Sequence, residues 1–143
     1  MKYISNSDKE TRRLGREFAG ELVGGEVVCL KGNLGAGKTT FVQGLMDKII
    51  PNKRILSPTF IIVRHYKINQ KEAKNIYHVD FYRMKNYRDI EGLGVLELMN
   101  NSENIFLIEW PERFGEKLPV KRIDFNFQIS GENQRIIEKN SYG

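Results

Sequence analysis

The feature that most constrains this chain is a glycine-rich run that satisfies the pattern G-x-x-x-x-G-K-[ST]. The run reads Gly32-Asn33-Leu34-Gly35-Ala36-Gly37-Lys38-Thr39. The apolar residues 27–30 before it are typical of a buried strand, and residues 40–49 after it repeat apolar side chains at helical steps of four. A strand, a glycine loop and a helix form the context in which this pattern binds nucleotide phosphates. A glycine-rich turn with a chance lysine would not require that context.

The residue types of the loop suit this chemistry. Gly32, Gly35 and Gly37 allow backbone conformations that let consecutive N–H groups face a phosphate. The N-terminus of the following helix adds unpaired N–H donors and a partial positive charge. Lys38 brings a full charge to the β- and γ-phosphates, and the Thr39 hydroxyl is placed to ligate Mg²⁺. The loop therefore predicts a nucleotide site.

Length and composition indicate one globular domain spanning residues 1–143, with 40% hydrophobic and 29% charged residues. No apolar run approaches the roughly 20 residues of a membrane helix, and no signal peptide opens the chain. The only cysteine, Cys29, lies in the apolar strand and is expected to be a buried thiol. We therefore expect a cytoplasmic protein without a membrane partner. The net charge of +5 is compatible with nucleic-acid contact, but a lysine-rich solvated surface is the simpler explanation, and we prefer it.

The rest of the chain mixes helical and strand patterns. Ser7 and Glu10 form a capping box that opens an amphipathic helix, which we expect to end at Gly24 and Gly25. Pro51 should stop the helix after the glycine loop. Further along we expect, in order, a β-rich stretch at 55–67, a turn at 69–71, a return strand at 76–81, a helix at 88–99, a buried strand at 105–108, and a hairpin of 120–129 with 135–137. This pattern predicts an α/β fold: a P-loop NTPase-like single domain with a mixed parallel/antiparallel sheet flanked by helices.

Hydrolysis requires groups beyond the loop, and the carboxyl ends of strands are where an open α/β sheet binds ligands. Glu109 directly follows the strand at 105–108 and is placed to coordinate Mg²⁺ or orient the attacking water, unless it simply caps the strand. Asp80 ends the return strand. It could act as a base or hold the metal's water shell, or it could pair with Arg83 to fix a turn. The residues alone leave these roles of Asp80 open.

A hydroxyl-bearing loop, Ser57-Pro58-Thr59, lies downstream of the glycine loop. Such a segment could sense the γ-phosphate and Mg²⁺, as the first switch of GTPases does. Ser-Pro-Thr is also a common turn signature, so this motif is weak by itself.

Taken together, four motifs resemble the TsaE family in order, spacing and chain size: residues 32–40, 57–60, 78–83 and 107–112. The set is specific, whereas the glycine loop alone is shared with many unrelated proteins. The resemblance implies a small bacterial ATPase required for making N6-threonylcarbamoyladenosine at position 37 of tRNAs that read ANN codons. It implies action with a TsaB–TsaD heterodimer, which ATP hydrolysis resets between turnovers, and contact with tRNA only through that complex.

The resemblance also implies roles by position. Lys38 and the loop amides, with Thr40, would hold the phosphates of ATP, and Lys38 would also be catalytic. Thr39 and Glu109 would handle Mg²⁺. Asp80 would be the acidic group essential to hydrolysis.

Three more positions follow from the same resemblance. Thr59, with Ser57 and Pro58, would belong to the switch-like loop. Thr11 would lie near the nucleotide base, and Arg135 would approach it from the C-terminal hairpin, although ordinary helix and strand surfaces explain both equally well.

Two other functions compete with this prediction. A small-molecule P-loop kinase usually needs an arginine-bearing lid and an acceptor pocket, for which Arg113 and Arg122 are isolated candidates. A nucleotide-dependent binding module would use ATP to shape a docking surface, with incidental hydrolysis. It differs from an ATPase mainly in rate.

Overall fold

The computed structural model describes residues 1–51, 63–82, 92 and 94–143. Within these residues the chain forms strands and helices in the following order: β1 (Lys2–Ser5), α1 (Asp8–Ala19), β2 (Val27–Lys31), α2 (Lys38–Ile49), β3 (Val63–Gln70), β4 (Ala73–Asp80), α3 (Val95–Met99), β5 (Asn104–Glu109), a 3₁₀ helix (Pro111–Lys117), β6 (Arg122–Ile129) and β7 (Arg135–Tyr142). No helix in the described ranges is long and apolar enough to cross a bilayer.

The described strands join one sheet in the order β1-β7-β6-β2-β5-β4-β3. The four central strands are parallel, since β2 pairs with both β5 and β6, and β5 pairs with β4. The outer pairs β3–β4, β6–β7 and β1–β7 are antiparallel. This confirms the predicted α/β fold with a mixed sheet. The carboxyl ends of the parallel strands meet at one edge, where the glycine loop leaves β2.

Helices α1 and α2 cover one face of the sheet and pack closely against each other. A side chain on Gly15 would collide with the backbone of Phe41, and one on Gly44 with the backbone of Arg12. Glycine at these two positions therefore permits a short distance between the helices. Phe125 of β6 lies beneath them, with its ring centre 4.8 Å from that of Phe41. This packing brings the N-terminal half of α1 to the glycine loop.

The opposite face of the sheet carries a second apolar cluster, covered by α3 and the 3₁₀ helix. Its members include Cys29, Phe81, Phe106, Ile108 and Phe114, all buried. The thiol of Cys29 is fully buried, as predicted. The two clusters together cover the central strands from both sides.

The first helix ends earlier than predicted. α1 ends at Ala19, not at Gly24 and Gly25. The Gly20 N–H donates to the carbonyls of Glu17 and Phe18 instead of continuing the α-helical hydrogen-bond pattern. Leu22 is fully buried, as its spacing suggested, but it lies beyond the helix. The Glu26 carboxylate then accepts hydrogen bonds from the N–H groups of residues 23 and 24, which fixes the entry into β2.

Other boundaries shift by a few residues. β3 continues through Gln70, so the turn lies at Lys71 and Glu72 instead of 69–71, and Lys71 adopts a left-handed φ of 54°. The return strand begins at Ala73 and ends at Asp80. The predicted hairpin is confirmed as β6 and β7. Of the predicted helix at 88–99 only 95–99 is described, and the β-rich stretch is described from Val63 onward.

Candidate nucleotide site at the carboxyl edge of the sheet

The glycine loop spans the gap between β2 and α2. Gly32, Gly35 and Gly37 all have positive φ angles of 146°, 81° and 102°, as expected from glycine at these positions. A hydrogen bond of 3.1 Å from the Ala36 N–H to the Asn33 carbonyl closes the turn. The strand, loop and helix predicted from the motif are therefore confirmed as local structure.

The helix after the loop begins without a side-chain cap. Gly37 occupies the N-cap in a left-handed conformation, and no side chain in the described part of the protein caps the first N–H groups of α2. Thr39 and Thr40 lie in the first turn, partly exposed. Unpaired N–H groups and the helix dipole make this end suited to an anion such as phosphate.

Lys38 is buried at the mouth of the loop, with 5% of its surface exposed. Its Nζ donates to the Gly32 carbonyl at 2.6 Å and lies 4.3 Å from the ring centre of Trp110. Burial lowers the pKa of Lys38, and the negative charges of Glu109 and Asp80 oppose that shift. The ammonium is therefore held by a carbonyl, an indole and nearby carboxylates.

Asp80 and Glu109 lie side by side at the ends of β4 and β5, where they are in register. Both are buried, with 8% and 4% of their surface exposed. Burial raises the pKa of Asp80, and the charge of Glu109 raises it further. A hydrogen bond of 2.8 Å from the Tyr82 N–H to Asp80 Oδ1, and the positive charge of Lys38, act in the opposite direction. Two carboxylates beside one lysine favour an additional cation.

The donor chemistry at this edge fits Mg²⁺. The Thr39 hydroxyl and the carboxylates of Asp80 and Glu109 are oxygen donors, which Mg²⁺ prefers. The described residues contain no cluster of three or more His, Cys, Asp or Glu that could hold a metal unaided. Phosphate oxygens and water would have to complete the coordination, as is usual for Mg²⁺ with nucleotides.

His78 is a residue of this site that sequence reasoning left without a role. Its Nε2 lies 2.7 Å from Glu109 Oε2, and both side chains are buried. The sequence feature that could have placed His78 in the site was its two-residue spacing from Asp80, which puts both side chains on the same face of one strand. The contact with Glu109 also requires β4 and β5 to be neighbours, which the spacing does not indicate.

Thr11 and Arg135 both reach the glycine loop. Thr11 is buried, and its methyl group would stand 3.4 Å from a Cβ at Gly37. Arg135 donates from Nη2 to the Gly35 carbonyl at 3.2 Å. The guanidinium thereby ties the start of β7 to the tip of the loop. These contacts are with the glycine loop itself.

The switch-like residues Ser57, Pro58 and Thr59 lie outside the described residues, as does Arg83, the alternative partner of Asp80. Trp110, directly after Glu109, is held in a left-handed conformation with a φ of 59°. Its ring centre lies 5.0 Å from that of Tyr82, so the indole links the ends of β4 and β5 above Lys38.

Comparison with known proteins agrees with this architecture. The profile of the family described as threonylcarbamoyl adenosine biosynthesis protein TsaE matches residues 5–137. A Rickettsia typhi protein named tRNA threonylcarbamoyladenosine biosynthesis protein TsaE is 39% identical over 132 residues, which cover 92% of this chain and 88% of the relative. A Bacillus subtilis protein of the same name is 31% identical over 143 residues, which cover 100% of this chain and 87% of the relative. The crystal structure of Bacillus subtilis YdiB superposes with a TM-score of 0.80 at 28% identity, covering 100% of this chain and 86% of that one. The chain therefore belongs to the TsaE family of threonylcarbamoyl adenosine biosynthesis proteins.

Proposed function

We propose that this protein is a Mg²⁺-dependent ATPase that acts with a TsaB–TsaD heterodimer in the cytoplasm. Together they form N6-threonylcarbamoyladenosine at position 37 of tRNAs reading ANN codons, and the chain contacts tRNA only through that complex. The observation that most supports this is the convergence of Lys38, Asp80 and Glu109 at the edge where the glycine loop begins α2. Membership of the TsaE family supports the tRNA pathway.

Each group has a role that its surroundings favour. Lys38 would exchange its hydrogen bond with the Gly32 carbonyl for phosphate oxygens of ATP. Thr39 and Glu109 would hold Mg²⁺, whose charge neutralises the β- and γ-phosphates when bound. The Oδ1 atom of Asp80 accepts from the Tyr82 N–H, and Oδ2 would be the atom that orients the attacking water.

The remaining predicted residues would surround the nucleotide. The amides of residues 32–40 would cradle the phosphates. Thr11 and Arg135, which contact the loop, would lie on the side of the base. The segment Ser57-Pro58-Thr59 would respond to the γ-phosphate.

The phosphate site is tested by calorimetry of ATP binding to Lys38→Ala. Loss of a charge-assisted hydrogen bond is worth about 1.5–3 kcal/mol, so we expect affinity to fall roughly 10- to 150-fold. Lys48→Ala, in the last turn of the same helix, is the matched control and should bind like the parent. Near-parental affinity of Lys38→Ala would contradict the phosphate-site assignment.

The catalytic assignment is tested by phosphate release in the presence of TsaB–TsaD. Glu109→Gln and Asp80→Asn keep the size of each side chain and remove its charge. We expect both variants to bind ATP but to hydrolyse it at least about 100-fold more slowly. If both variants hydrolyse ATP at the rate of the parent, these catalytic roles are refuted. If the parent hydrolyses ATP only when a small-molecule acceptor is present, the protein is a kinase instead.

A further inference from the structure

The contact between His78 and Glu109 is unusually enclosed for two polar side chains. His78 has 1% of its surface exposed and Glu109 has 4%. Their hydrogen bond, at 2.7 Å, joins His78, two residues before the end of β4, to Glu109, the last residue of β5. His78 and Asp80 lie on the same face of β4. A buried carboxylate without a donor would carry a large desolvation cost. His78 supplies that donor.

The surroundings of the imidazole indicate which nitrogen carries the proton. Glu109 Oε2 is an acceptor, so Nε2 must be the donor of this hydrogen bond. The other nitrogen, Nδ1, is buried and has no hydrogen-bond partner among the described residues. The hydrogen bond therefore places a proton on Nε2, the nitrogen that faces Glu109.

We propose that His78 is a positioning residue that acts through Glu109. Its Nε2–H holds Glu109 Oε2 and so fixes the rotation of the carboxylate. The second oxygen, Oε1, would then be the atom that meets Mg²⁺ or its bound water. Metal ligands commonly depend on such a hydrogen-bonded partner, and loss of the partner typically costs 10- to 100-fold in metal affinity or activity. The inference rests on the proposed function, because it assigns His78 a part in the same Mg²⁺–nucleotide site.

Two amide substitutions separate positioning from mere packing. The side-chain nitrogen of His78→Gln lies at the level of Nε2 and can still donate to Glu109, whereas that of His78→Asn lies at the level of Nδ1 and cannot reach it. Affinity for a non-hydrolysable ATP analogue is measured by calorimetry with and without Mg²⁺, alongside kcat and KM for hydrolysis. We expect His78→Asn to lose about tenfold or more of the Mg²⁺-dependent gain in affinity and 10- to 100-fold in kcat. His78→Gln should stay within about threefold of the parent, and binding without Mg²⁺ should be the same for all three.

The proton on His78 Nε2 is tested by spectroscopy, without nucleotide and without a measurement of activity. The chain has two histidines, so nitrogen-15 spectra of the imidazoles contain two ring systems, and His65→Gln at the exposed position removes one of them. We expect Nε2 of the remaining ring to carry a proton. A ring without a proton on Nε2 would overturn the inference.

The outcomes also separate this inference from the function on which it rests. If the parent binds the Mg²⁺–nucleotide and folded His78→Asn and His78→Gln do not differ from each other, positioning through Glu109 is refuted while the ATPase stands. If the parent binds no nucleotide, the proposed function fails and the positioning role fails with it. Should both variants unfold, the spectrum decides.

Discussion

Substitution of Gly32 by alanine should lower the free energy of unfolding more than the same substitution at Gly35. Both residues lie in the glycine loop with positive φ, which costs an alanine about 1–2 kcal/mol. A Cβ at Gly35 would meet no atom within 4 Å, whereas one at Gly32 would stand 2.6 Å from the carbonyl oxygen of Phe127. That carbonyl belongs to β6, which is paired on both sides and cannot move away freely.

The clash should add about 1–3 kcal/mol for Gly32→Ala, so the expected losses are about 2–5 kcal/mol at Gly32 and 1–2 kcal/mol at Gly35. Urea unfolding followed by circular dichroism measures both free energies. Gly32→Ala should also weaken ATP binding, since a displaced loop would no longer present its N–H groups to the phosphates. Equal stability of the two variants would refute the close approach of the loop to β6.

Three further predictions concern single side chains. Trp110 is the only tryptophan and lies 4.3 Å from Lys38 Nζ, so Mg²⁺–ATP should change its fluorescence in the parent and not in Lys38→Ala; an identical response in both would contradict the contact. Burial, followed by the charge of Asp124, raises the pKa of the Cys29 thiol in the folded protein to about 12. In the unfolded chain the thiol has an ordinary pKa of about 8.5, so above that pH the unfolded chain loses the proton while the folded protein keeps it. Between pH 8 and 10 the free energy of unfolding should therefore fall by about 1.5–2 kcal/mol more in the parent than in Cys29→Ala, and equal slopes in urea titrations would rule this out. Asp124→Asn, which leaves two cations without their shared buried carboxylate, should cost about 2–4 kcal/mol, against less than about 1 kcal/mol for the partly exposed Asp47→Asn; similar losses in thermal unfolding would count against it.

The parts of the site that could be predicted are those encoded by local pattern. The glycine loop carries its strand and helix with it, because the motif has one structural context. Glu109 was found because it directly follows a continuous apolar strand, and Asp80 because it ends a β-branched one. In each case the chemistry and the secondary structure lie within a few residues of each other.

The parts that could not be predicted depend on contacts distant in sequence. β1 has four residues and only Ser5 of them is buried, so its pattern is too weak to indicate a strand; it forms by pairing with β7 at the far end of the chain. The hydrogen bond between His78 and Glu109 depends on the order of strands in the sheet. The turn that follows α1 is held by a distant residue, Gln70, whose side-chain amide donates to the carbonyls of Ala19 and Leu22.

The central claim is that ATP turnover at this loop supports tRNA modification, and a reconstituted reaction tests it most directly. An unmodified tRNA that reads ANN codons is incubated with TsaB–TsaD and the other components of the pathway, and N6-threonylcarbamoyladenosine is measured by mass spectrometry. We predict repeated turnover with the parent chain or Lys48→Ala, and little or none without the chain or with Lys38→Ala. Equal modification in the absence of the chain, or with Lys38→Ala, would contradict the account.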